Sequence, residues 1–254
     1  MRRICVLSVL MMCGFMLSCA DEESSQSNIA PGPRLSIEIN HVFDGVPLAL
    51  NTDLQTADGT TVQISKLRYW LSNVQLHRAD GTHHAVPAAY YLLEQTAGKT
   101  RNKIIMGGIP DGEYTGLTLA MGVDEAHNHS TDLFEGELST AVNMDWGWNS
   151  GFIFLKVEGT VVDSDSTASF LAHVGNDVLY REVSMTFDSG IVIDTERDGA
   201  VQLTADVKSL FNDWDVVAVS DIIGGSETSP AGTVATNYAQ WFSLQSATSQ
   251  ESAR

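Results

Sequence analysis

Apolar and polar residues alternate along this chain with a period of two, in short runs broken by Asp/Gly and Pro/Gly pairs, and that pattern restricts what it can fold into. Leu35-Ser-Ile-Glu-Ile-Asn-His41 places Leu35, Ile37, Ile39 and His41 on one face of a half-buried strand. Residues 62–76 keep the same period only if it slips once after Ile64 and again after Leu71, which predicts a long strand with bulges rather than a helix. Asp80-Gly81 marks a hairpin turn, and Tyr90 opens the next strand. Further strands are expected over residues 103–109, 114–123, 151–162, 169–174, 181–187 and 200–206. The sum is an all-β chain, an antiparallel β-sandwich with long loops and one short helix at residues 207–212. Residues 124–143 are too long and too polar for a turn and form the loop where a site is expected.

The ends carry processing signals. Arg2 and Arg3 precede an apolar stretch over residues 4–17, so residues 1–18 read as a signal peptide too short to span a membrane. Leu17-Ser18-Cys19-Ala20 has the arrangement of a lipoprotein cleavage site, making Cys19 the lipidated first residue, and Ala20 favours the outer membrane. An acidic, Ser-rich tether over residues 19–33 ends at Pro31-Gly32-Pro33; a sandwich domain is expected over 34–244 and a disordered polar tail over 245–254. Cys5 and Cys13 leave with the signal, so neither a disulfide nor a thiolate metal site is expected. Loss of Arg2 and Arg3 reduces 14 basic residues to 12 against 32 acidic ones, about −20 in all, which disfavours nucleic acid as a partner. Hydrolase signatures such as Gly-x-Ser-x-Gly and His-Glu-x-x-His do not occur, and a binding protein rather than an enzyme is expected.

Histidine is therefore the main metal-binding residue type on offer. Neutral imidazoles in twos or threes suit Cu(I), Cu(II) or Zn(II). His127-Asn-His129 could chelate if extended, His83-His84 read as surface residues, and His77 ends the long strand with no obvious partner.

One block is more specific: Met144-Asp-Trp-Gly-Trp-Asn-Ser-Gly-Phe-Ile-Phe-Leu-Lys-Val-Glu-Gly159, in which Trp146 and Trp148 run straight into a strand. It resembles the signature of the MbnP-like family of bacterial periplasmic and surface copper-binding proteins, with Phe152 where that pattern has tyrosine. His41 before Gly45-Val-Pro-Leu48, His129 after Gly122-Val and Asn128, and His173 in Ala172-His-Val-Gly175 are similar to the family's histidine-bearing patterns, and the likeness covers roughly residues 35–212.

The resemblance implies a copper site, Cu(I) or Cu(II), at His41 and His129, with His173 as third ligand or support. Its role would be copper acquisition, storage or delivery. It also implies that Trp146 or Trp148 could be oxidised to kynurenine by a di-haem MauG-like peroxidase; otherwise both pack at the mouth of the site. Met144 reads either as core filling or as a thioether donor. The alternative is a surface adhesion or carbohydrate-binding module, with Trp70, Trp146 and Trp148 as its stacking platform and acidic loops holding calcium.

Overall fold

The computed structural model describes residues 29–129, 136–138, 143–147, 151–162 and 167–252. In chain order its elements are β1 (Arg34–Phe43), β2 (Val46–Pro47), β3 (Leu54–Gln55), β4 (Thr61–His77), β5 (His83–Ala85), β6 (Tyr90–Thr96), β7 (Lys99–Arg101), β8 (Lys103–Gly107), β9 (Gly112–Met121) and α1 (Glu125–Asn128). The second half supplies β10 (Leu155–Val162), β11 (Thr167–Val174), β12 (Arg181–Ile193), β13 (Arg197–Asp206), β14 (Asp221–Ile223), α2 (Pro230–Gln240) and β15 (Phe242–Glu251). Among the described residues five strands form a smaller sheet, β15-β13-β1-β2 with β8 beside β1, and ten form a larger one built on β4. The all-β sandwich expected from the alternation is the observed fold. Most pairs are antiparallel, but β1 lies parallel to β13 and β11 parallel to β14.

The period-two faces meet between the sheets. Leu35, Ile37 and Ile39 of β1 and Val201, Leu203 and Ala205 of β13 pack with Ile64, Leu67, Tyr69 and Leu71 of β4 and Leu155 and Val157 of β10 in one core. Each such Val, Leu or Ile side chain contributes about 1.5–3 kcal/mol when fully buried.

β4 keeps its apolar side inward only because its register breaks twice. Ile64 pairs with Gly159 and Lys66 with Glu158, leaving Ser65 as a bulge. A second irregularity falls between Ser72 and Gln75, where Asn73 has φ +50°. Both lie at or within two residues of the slips read from the alternation. The first bulge draws β10 close: a Cβ on Gly159 would stand 2.1 Å from the Gln63 carbonyl, so only glycine fits there. β4 pairs with β10 over its first half and with β9 over its second. At the handover Trp70 N–H donates to Phe154 O and Gly122 N–H to Trp70 O, both at 3.0 Å.

The short helix expected at residues 207–212 is present as a 3-10 helix, Val207–Phe211. Two expectations are corrected. The α-helix of substance is α2, which lies outside the one short helix expected, because Gly, Thr and Asn lower its helix propensity. Its stripe Ala231, Val234, Ala235 and Tyr238 at i, i+3, i+4 and i+7 is buried, and Tyr238 O–H donates to Leu179 O. The polar tail expected from residue 245 is instead ordered through β15, an edge strand against β13. Its side chains are largely exposed, and main-chain hydrogen bonds to β13 hold it together with partial burial of Phe242, Leu244 and Ala247 against the core.

Candidate metal centre

The tryptophan block builds a second apolar cluster on the outer face of the larger sheet. Met144, Trp146, Phe152, Ile153 and Phe154 pack there with Trp70, Tyr90, Leu92, Val123 and Leu138. The block folds back on itself: Trp146 N–H donates to Gly151 O at 3.0 Å, Ile153 N–H to Met144 O at 2.8 Å, and Asp145 bridges Phe152. Trp70 meets Phe152 edge-on at 5.8 Å. Met144 is wholly buried among apolar side chains, Trp146 is 9% exposed, and Trp148 lies outside the described residues. Trp70 is fully buried, so the stacking platform of a carbohydrate module is missing one of its three rings.

Asn128 ties the histidine loop to this cluster. It is 3% exposed, its Oδ1 accepts from Phe152 N–H at 2.7 Å, and its Nδ2 donates to Asp177 Oδ1 at 2.7 Å. The other carboxylate oxygen of Asp177 accepts from His129 Nε2–H at 2.6 Å. Burial pushes the Asp177 carboxyl up, but the bonds from Asn128 and His129 outweigh it and leave the group below its ordinary value. The His129 side chain is 52% exposed, and with Nε2 on the carboxylate its Nδ1 is the nitrogen available to a ligand.

His127 is held separately. Its Nδ1–H donates to Asp124 Oδ1 at 2.8 Å, and Asp124 Oδ2 accepts from Tyr90 O–H and, at 3.0 Å, from Asn73 Nδ2–H. Burial raises the Asp124 carboxyl and these donors more than reverse the effect. The segment through residue 128 is helical rather than extended, so the two imidazoles are not arranged as a His-x-His chelate and rest on different carboxylates.

His41 and His173 lie on opposite sides of the larger sheet. His41 is 8% exposed on the inner face, its Nε2 is 3.0 Å from Tyr69 Oη, and burial lowers its pKa to about 4, so the ring is neutral. His173 alternates with the inward residues Ala172 and Val174 and faces out. It joins a cross-strand row with Lys156, Arg68 and Glu94, and its Nε2–H donates to Glu158 Oε1 at 2.9 Å. Glu158 also takes Lys66 Nζ at 2.6 Å, while Lys156 Nζ donates to Asn143 O. Burial lowers His173 and its bond to Glu158 only partly offsets this. His41, His129 and His173 are thus not gathered into one shell, and among the described residues no group of three or more His, Cys, Asp or Glu side chains is placed to hold a metal ion. Three outward histidines (His127, His129 and His173) do share one motif, an imidazole held by a carboxylate. Asp124 stands three residues before His127 and Glu158 lies in the 144–159 block, but Asp177 and the Asn128 clamp carry no spacing signal by which sequence reasoning could have found them.

Fold and site define a two-sheet β-sandwich with a tryptophan-roofed outer face and outward histidines held by carboxylates. The family model described as MbnP matches residues 32–230. The chain belongs to the MbnP family. Among solved structures it is similar to MbnP from Methylosinus trichosporium, with a TM-score of 0.50 at 19% identity over 79% of this chain and 84% of that one, a likeness of fold. No curated protein matches it.

Proposed function

We propose that this chain is an extracytoplasmic copper-binding protein for copper acquisition, storage or delivery, anchored to the outer membrane through Cys19. Membership of the MbnP family, and the likeness of the 144–159 block to the signature of copper-binding proteins, support the copper assignment. The observation that carries the residue-level reading is the Asn128–Asp177–His129 relay: an imidazole whose far nitrogen donates to a carboxylate has its ring orientation fixed, as metal-ligating histidines do. His129 is the imidazole we assign to copper, and His173, also outward and carboxylate-held, is the second candidate. His41 lies on the inner side with Tyr69 and is assigned to the core.

Bound copper would be held by imidazole, and the chain's own residues would orient those rings and wall the site from water with Trp146. Conversion of Trp146 or Trp148 to kynurenine by a di-haem MauG-like partner belongs to the same proposal; the intact mass of the protein isolated from its native host reads it directly. The test is a Cu(I) competition titration of the wild type beside His129→Ala, His173→Ala and His41→Ala variants. Loss of tight binding in His129→Ala with retention in a folded His41→Ala is expected. Tight binding unchanged by His129→Ala would overturn the assignment.

A further inference from the structure

The hairpin joining β4 to β5 carries a pair of histidines that the copper reading does not use. His77 and His83 are direct cross-strand partners. Arg78 N–H donates to Thr82 O at 2.9 Å and Val86 N–H to Val74 O at 2.9 Å, so the hydrogen-bonded pairs are 78/82, 76/84 and 74/86, and His77/His83 is a non-hydrogen-bonded pair between them. Side chains in such a pair stand on one face with Cβ atoms about 4.5–5.5 Å apart, a separation that two imidazoles can close onto one ion.

Both histidines line a cavity of about 410 Å³ between the hairpin and the outer faces of β9 and β12. His77 Nε2 is 2.9 Å from Thr118 Oγ1, which is itself 2.6 Å from Ser184 Oγ. That chain of hydroxyls fixes the His77 ring and leaves Nδ1 for a ligand, while His83 is exposed. Glu182 lines the same cavity and supplies negative charge. Arg78 lines the cavity too and carries the opposing charge, but its guanidinium is held by Tyr114, with Nη2 donating to Asp111 O and Tyr114 Oη and the group over the Tyr114 ring at 5.2 Å.

We propose that this hairpin is a second metal site, independent of His129, in which His77 and His83 chelate a borderline divalent cation such as Zn²⁺, Ni²⁺ or Cu²⁺ and water completes the coordination. Imidazole donors with a carboxylate nearby and no thiolate or thioether define that class of ion.

The strands and helices described begin at Arg34, so a chain starting at Ala20 keeps all of them. Calorimetric titration of that chain with Zn²⁺ is compared among wild type, His83→Gln, His77→Gln/His83→Gln and His129→Ala. His83 is exposed, so its single variant keeps the fold. The expected result is a Zn²⁺ site weakened at least tenfold by His83→Gln, abolished in the double variant and retained in His129→Ala. Absence of Zn²⁺ binding by the wild type, a loss smaller than tenfold in His83→Gln, or loss of the same site in His129→Ala overturns the proposal. Failure of the copper reading would show separately, in the Cu(I) titration of His129→Ala.

Discussion

Replacing Asn128 by alanine removes two hydrogen bonds that nothing else in the described structure supplies. Phe152 N–H is left buried without its acceptor, which costs about 1–3 kcal/mol, and Asp177 loses a donor to a partly exposed carboxylate, which costs about 1 kcal/mol after solvent screening. A total loss of about 3 kcal/mol follows, equivalent to a fall in Tm of about 6–12 °C for a domain of this size. Urea unfolding monitored by tryptophan fluorescence measures it, since the clamp joins α1 to the tryptophan block. Because Asp177 also orients His129, copper affinity should fall about 10–100-fold in the folded variant. Asn128→Asp separates the two bonds: it keeps an acceptor for Phe152 N–H but sets a second carboxylate against Asp177, so its destabilisation grows as pH rises and the pair ionises. A stability loss under about 1 kcal/mol for Asn128→Ala would show that the loop is held by something other than this clamp.

Other perturbations test other parts of the account. His41 has a folded pKa of about 4 against an ordinary value near 6.5, so the unfolded chain binds the proton first as pH falls. Metal-free stability should therefore drop by up to about 3 kcal/mol between pH 6.5 and 4 from this group, and His41→Gln should flatten that slope; equal slopes by urea unfolding would contradict the burial argument. Gly159→Ala drives a Cβ to 2.1 Å from the Gln63 carbonyl and 2.7 Å from the Phe170 ring, and should cost about 3 kcal/mol or prevent folding, read from the urea midpoint. Cys19→Ser should move the protein from the membrane to the soluble fraction on cell fractionation, and unchanged membrane association would refute lipid anchoring at that residue.

Side-chain alternation made the sandwich legible because its period reports directly on which face is buried. The slips after Ile64 and Leu71 became the bulges at Ser65 and near Asn73, since an odd residue has no other way to keep β4 facing the core. Elements held by the main chain or by a weak stripe left no such trace, which is why β15 and α2 were missed. The block 144–159 was legible as a unit, and the structure supplies its physics: apolar rings for the outer roof, Lys156 and Glu158 in the outward polar rows, and Gly159 beneath the bulge. Histidine identity was legible too, but not which side of the sheet each ring faces relative to the others. His41 shares the period of Ile37 and Ile39, yet the family likeness set it among the copper ligands; its ring lies beside Tyr69 on the inner side. His77 and His83 became partners only through the hairpin register.

In the proposed function copper sits at His129, on the outer side of the larger sheet. The most direct measurement is a crystal structure of the copper-loaded protein with anomalous data at the copper edge. The expected result is an anomalous peak beside His129 Nδ1, on the outer side of β4, with the His41–Tyr69 contact intact. A peak between the sheets at His41, or copper bound with none at His129, would contradict it.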